Sequence, residues 1–188
     1  YLHPNYFTPD PHVLNMLGVK RNEKYVILRF VSWNAAHDWG MHGFTLNEKI
    51  TLAKYLSKYA KVFISSEESL PEELSDYKLE IPPEMIHDAL YFSSLIVGDG
   101  ATMSTEAALL GTPSILTNPL STKLGHLRQL EKEGLVYSIT DFKEIVKKSS
   151  DILSSDIDYI SRKNSLLESK RSLTDVLMEE LLLLTKQH

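Results

Sequence analysis

Short apolar runs alternate with segments of helical periodicity along most of the chain. Residues 25–31 (YVILRFV) are β-branched and aromatic with almost no polar alternation, which predicts a strand buried on both faces. Ile50, Ala53 and Leu56 then recur at helical spacing within 47–59. Further strands are predicted at 61–65 (KVFIS), at 77–81 before Pro82-Pro83, and at 95–97, 114–117 and 136–139. Helices fall between them, at 84–94, at 102–110 stopping at Gly111, and at 126–133 stopping at Gly134. This alternation predicts an α/β fold: a three-layer, Rossmann-like parallel sheet of about six strands with helices on both faces. Beyond Asp141 only helical patterns remain. The last, 173–185 (LTDVLMEELLLLT), carries an apolar stripe at Leu173, Val176, Leu177, Leu181 and Leu184, which Leu182 and Leu183 widen beyond one face. It packs on its own domain or meets another domain or subunit, so a homo-oligomer through this helix is one expectation.

Composition narrows the classes. A chain of 188 residues with 43% hydrophobic content is long enough for one domain with a real core. The net charge of -5 gives no basic footprint for nucleic acid. The absence of cysteine removes disulfides, thiolate metal sites and Cys nucleophiles, and fits a reducing, cytoplasmic compartment. No apolar run reaches the roughly 18 residues of a membrane span. The start, YLHPNYFTPDP, lacks an initiator Met and the features of a signal peptide. It reads as a linker (1–22) from a preceding domain absent from this chain, followed by a Rossmann-like domain (23–150) and a helical tail (151–188).

The stretch IVGDGATMSTEAALLGTPSI, residues 96–115, concentrates the candidate chemistry. Ligands of open α/β sheets sit at the carboxyl ends of strands, where the turn Gly98-Asp99-Gly100 falls. Its glycines permit positive φ and close backbone approach by a ligand. The following helix offers unsatisfied amides from Ala101 to Ser104, with hydroxyls on Thr102 and Ser104, and so suits a phosphate or diphosphate. Glu106, one turn further in, is either a partner of the helix dipole or a bidentate acceptor for two neighbouring hydroxyls, as on a ribose. A dinucleotide fingerprint would need glycine where Met103 stands, and a P-loop would need Gly-Lys-Ser/Thr. A haloacid-dehalogenase-type phosphatase would need an upstream Asp-x-Asp. The only one here is Asp156-Ile157-Asp158, downstream.

The segment 81–115 (IPPEMIHDALYFSSLIVGDGATMSTEAALLGTPSI) resembles the nucleotide-sugar half of glycosyltransferase-B proteins, and in pattern the UDP-N-acetylglucosamine 2-epimerase family. There a Pro-rich turn leads to a helix, a short strand, Asp-Ser-Gly-Gly, two residues, Glu-Glu-Ala and Leu-Gly-Thr/Lys-Pro. Asp99, Thr105-Glu106-Ala107 and Leu110-Gly111-Thr112-Pro113 match, while Gly100-Ala101-Thr102 replace Ser-Gly-Gly. From HPNYFTPDP through GHLRQLEKEGL, roughly residues 3–150, the chain also resembles a family of uncharacterised archaeal and bacterial two-domain proteins. The resemblance implies a C-terminal domain that binds a UDP-sugar or related nucleotide sugar, for glycosyl transfer. It implies β-phosphate binding by the amides of Gly100, Ala101 and Thr102, and ribose binding by Glu106. The base would be held by the turn from Ile81 to Met85, and the donor sugar would face Gln129. Helix-terminal dipoles would neutralise the diphosphate, so no metal and no cofactor is implied, and the general base would lie on the other domain. Alternatives are epimerisation, or nucleotide-sugar sensing and assembly without catalysis. The epimerases' His-Arg-x-Glu-Asn is replaced here by RFVSWNAAHD.

Other candidates are less specific. In HDWGMH, His37, Asp38 and His42 allow a metal reading, but helical spacing would prefer four residues over five and no third ligand is evident. Arg29 or His37 could touch phosphate or acceptor, and they are the candidates for catalysis; otherwise His37 and Trp33 close a loop. His87 is a capping or half-buried helix residue, or lines the site. His126, after Gly125, caps its helix or reaches the diphosphate.

Overall fold

The structure, a computed structural model, describes residues 2–31, 43–118, 125–168 and 170–185. Five parallel strands make the sheet: β1 (Tyr25–Phe30), β2 (Lys61–Ser66), β3 (Leu95–Gly98), β4 (Ser114–Leu116) and β5 (Val136–Ser138), in the order β2-β1-β3-β4-β5. The helices are α1 (His12–Met16), α2 (Leu46–Leu56), α3 (Ile86–Phe92), α4 (Ala101–Leu110), α5 (Gly125–Lys132), α6 (Phe142–Ser154), α7 (Tyr159–Glu168) and α8 (Leu173–Thr185). The fold is therefore the expected Rossmann-like α/β fold, with five strands in place of about six.

The strand expected at 77–81 is the difference. Glu72–Tyr77 winds as a 3₁₀ helix, and only one parallel bridge follows, between Lys78 and Ile64. Leu79 N–H donates to the Ile64 carbonyl, and the donor-less Pro82-Pro83 then leave the edge of β2.

Continuous apolar runs in β1 and β3 follow from burial on both faces. Val26, Leu28 and Phe30 point into a core shared with Leu52 and Leu56 of α2 and Ile145 and Ile152 of α6. Tyr25 and Ile27 point the other way, to Ala89 and Leu90 of α3 and Ala107 and Leu110 of α4. The Tyr25 hydroxyl donates to the Ala89 carbonyl, and burial, then the nearby Asp88 charge, raises its pKa, so the phenol stays protonated.

Residues 2–19 pack on this second face. Leu2, Val13, Leu14, Leu17 and Val19 are buried there, and Asp10 N–H donates to Asp88 Oδ1 at 2.7 Å. Helix α4 ends in a glycine cap: Gly111 adopts φ 92°, its N–H reaches the Ala108 carbonyl and Thr112 N–H the Ala107 carbonyl. Helix α8 buries none of its residues.

Candidate functional site

The order β2-β1-β3-β4-β5 reverses direction between β1 and β3, so a crevice opens beyond their carboxyl ends. The chain leaves β1 toward α2 on one face and leaves β3 toward α4 on the other. Register sets Arg29 opposite Gly98 across this point. Residues 32–42, with Trp33, His37 and His42, lie outside the described residues, and so does the metal reading placed on them.

The turn differs from expectation in how its glycines work. Neither Gly98 nor Gly100 has positive φ; Gly100 sits at φ -80°, ψ 100°. A Cβ at Gly98 would lie 2.0 Å from the Arg29 carbonyl oxygen, so close pairing of β1 and β3 requires glycine there. A Cβ at Gly100 would come within 3.2 Å of Arg29 Cγ, because the arginine stem lies across the turn. Arg29 is itself held, donating to Ser65 Oγ at 3.0 Å and pairing with Glu67 at 2.6 Å. It brings a cation to the crevice, paired with the Glu67 carboxylate.

Asp99 is 3% exposed and accepts from the Thr117 hydroxyl, tying the end of β3 to the strand beside it. It borders a cavity of about 330 Å³ with Glu48, Thr117 and Thr140.

Gly100 caps α4 and has no side chain to satisfy the helix's first amides. That end of the helix is open to a ligand, and the dipole there favours an anion. The faces of α4 divide by spacing. Ser104, Ala107, Ala108 and Leu110 are buried, so the Ser104 hydroxyl, read as a donor, is turned inward at 1% exposure. Thr102, Thr105, Glu106 and Leu109, at i, i+3, i+4 and i+7, share the outward face and line a cavity of about 630 Å³. Ala101 and His126 also line it, with Leu2, His3 and Tyr6 from the start of the chain and Leu173 from α8. Thr105 Oγ1 donates back to the Ala101 carbonyl at 2.9 Å. Glu106 Oε2 stands 3.4 Å from His87 Nε2, each side chain largely covered.

The structure thus brings Ala101, Thr102, Glu106 and His126 together, with His87 behind Glu106. Ile81 and Met85 pack on the second core in the turn before α3, and Gln129 lies on α5; none of these three borders the 630 Å³ cavity. Thr105 and Leu109 were legible as helical neighbours of Thr102. His3, Tyr6 and Leu173 were not, because tertiary packing alone carries them to α4. Among the described residues no group of three or more His, Asp or Glu could hold a metal, and no helix is long and apolar enough to cross a membrane.

Comparison with solved structures supports the fold. A candidate UDP-N-acetylglucosamine 2-epimerase from Listeria monocytogenes superposes with TM-score 0.54 at 13% identity, over 84% of this chain and 43% of that one. The wall teichoic acid polymerase TagF superposes with TM-score 0.52 at 10% identity, over 84% of this chain and 41% of that one. Both have the glycosyltransferase-B fold, and at these identities the likeness is one of fold. This chain spans about two fifths of their length. No curated protein matches the sequence. The match that covers residues 2–184 is to a family described as protein of unknown function (DUF354), and the chain belongs to that family.

Proposed function

We propose that this chain is the nucleotide-sugar-binding half of a glycosyltransferase-B-type enzyme, acting on a UDP-sugar in the cytoplasm. One observation carries the reading. The uncapped start of α4 opens at the topological switch point, and the same helix presents Glu106 to a cavity of about 630 Å³. The fold likeness to a candidate UDP-N-acetylglucosamine 2-epimerase supports it. In this reading the α4 amides and Thr102 hold the diphosphate and Glu106 accepts the ribose hydroxyls. Arg29 and the helix dipole stabilise charge growing on the leaving diphosphate, in a site whose donors are already oriented. The other domain supplies the general base, so this chain alone binds and does not turn over.

Calorimetric titration with UDP tests the site. Replacing Glu106 by Ala removes a charged acceptor worth about 1.5–3 kcal/mol, so UDP affinity should fall roughly ten- to a hundredfold. Unchanged affinity removes Glu106 from the site.

The likeness to an epimerase structure favours a second reading, epimerisation. Incubating the complete two-domain protein with UDP-N-acetylglucosamine in D₂O separates the two: deuterium on the sugar ring marks epimerisation, and its absence with UDP release marks transfer or hydrolysis. Binding without either reaction leaves a sensor or assembly module.

A further inference from the structure

Glu106 is not alone at the cavity wall. His87, on α3, brings Nε2 to 3.4 Å from Glu106 Oε2, with side-chain exposures of 25% and 18%. The imidazole also meets the ring of Phe7 edge-on, centroids 6.3 Å apart at 81°. Phe7 belongs to the N-terminal segment that packs against α3. Three separate pieces of chain therefore meet behind one carboxylate: residues 2–19, α3 and α4.

A glutamate on a helix surface samples several rotamers, and a ligand that needs one of them must freeze it on binding. Accepting two vicinal hydroxyls is such a need, because both hydroxyls must find oxygens of the same carboxylate at once. A neighbour that holds one oxygen from behind restricts the rotamers beforehand. His87 sits in that place, and its own ring is restricted by Phe7.

We propose that His87 is a positioning residue that pre-sets the Glu106 carboxylate for a ribose diol, so that the site selects ribonucleotides over nucleotides lacking those hydroxyls. The proposal rests on the nucleotide-binding reading above and adds to it the residue that sets sugar selectivity.

The test is the ratio of affinities for UDP and for 2′,3′-dideoxyuridine diphosphate, by calorimetry on the whole chain. His87→Asn moves the side-chain nitrogen to the Nδ1 place, away from Glu106. His87→Gln keeps it near the Nε2 place. His87→Ala, a good helix former, removes it. The UDP preference should fall about three- to tenfold in the Asn and Ala variants, the range expected for losing one pre-ordered side chain. It should stay near wild type in the Gln variant, and affinity for the dideoxy nucleotide should be the same in all of them. A ratio unchanged in the Asn and Ala variants overturns the proposal, and so does a Gln variant as impaired as the Asn variant. Glu106→Ala separates this failure from a failure of the underlying reading. If it abolishes the preference while the His87 variants keep it, only the positioning role falls. If it leaves the preference intact, or if the wild type binds neither nucleotide, the ribose-site reading falls and the proposal with it.

Discussion

A methyl group at position 98 would press on the Arg29 carbonyl oxygen from 2.0 Å, and both partners are backbone in adjacent strands, so neither can yield cheaply. Gly98→Ala should destabilise the chain by about 3 kcal/mol or leave it insoluble, overpacking being felt most where no side chain can move aside. Urea denaturation checks this, and a variant as stable as wild type would mean that the two strands separate locally at little cost. Gly100 differs, because its nearest obstacle is the flexible stem of Arg29. In the sequence the two glycines of Gly-Asp-Gly look equivalent, and both suggested a ligand's approach. The difference between them lies in the register of β1 against β3, which no local pattern encodes. The same holds for Asp99, whose carboxylate serves Thr117 across the sheet. That Thr102 and Glu106 share one face of α4 was legible, because helical spacing alone puts residues four apart on the same side, away from Ala107 and Ala108.

Elements were most legible where burial and punctuation agreed. The boundaries of α4, α5 and α8 were close because Gly111 and Gly134 end the first two in the left-handed conformation and apolar periodicity fixes the third. Gly111 also faces Ile160 of α7, whose Cδ1 would stand 2.5 Å from an added Cβ. Gly111→Ala should therefore cost at least about 1–2 kcal/mol from backbone strain alone, measured as a lower urea midpoint. A replacement of Ile160 by a smaller residue in the same variant should recover only the steric part. The stretch 77–81 misled because a short apolar-polar run before Pro-Pro has the look of an edge strand. Pairing there stops after one bridge, and the ladder beside β2 goes no further.

At the scale of the molecule, α8 stands apart. Leu173 is 73% exposed, and Leu177, Leu181, Leu182, Leu183 and Leu184 are all more than half exposed. A helix apolar on several sides is ordinarily buried, and this exposed stripe is what the expectation of a homo-oligomer through α8 rests on. Replacing Leu177 and Leu181 with Lys should convert a dimer to a monomer in light scattering; a wild type that is already monomeric at high concentration would remove that role. The layered architecture was readable from the alternation of runs, and the crevice position followed from it once the strand order was known. The chamber itself was not readable, since its walls come from residues 2–6, from α4, from His126 of α5, from Leu167 of α7 and from the first turn of α8. A guest seated between these pieces would clasp both ends of the chain to the middle. Occupancy should then register far from α4, as resistance of the two end segments to trypsin and chymotrypsin when UDP is added, and as unaltered cleavage in the Glu106→Ala chain.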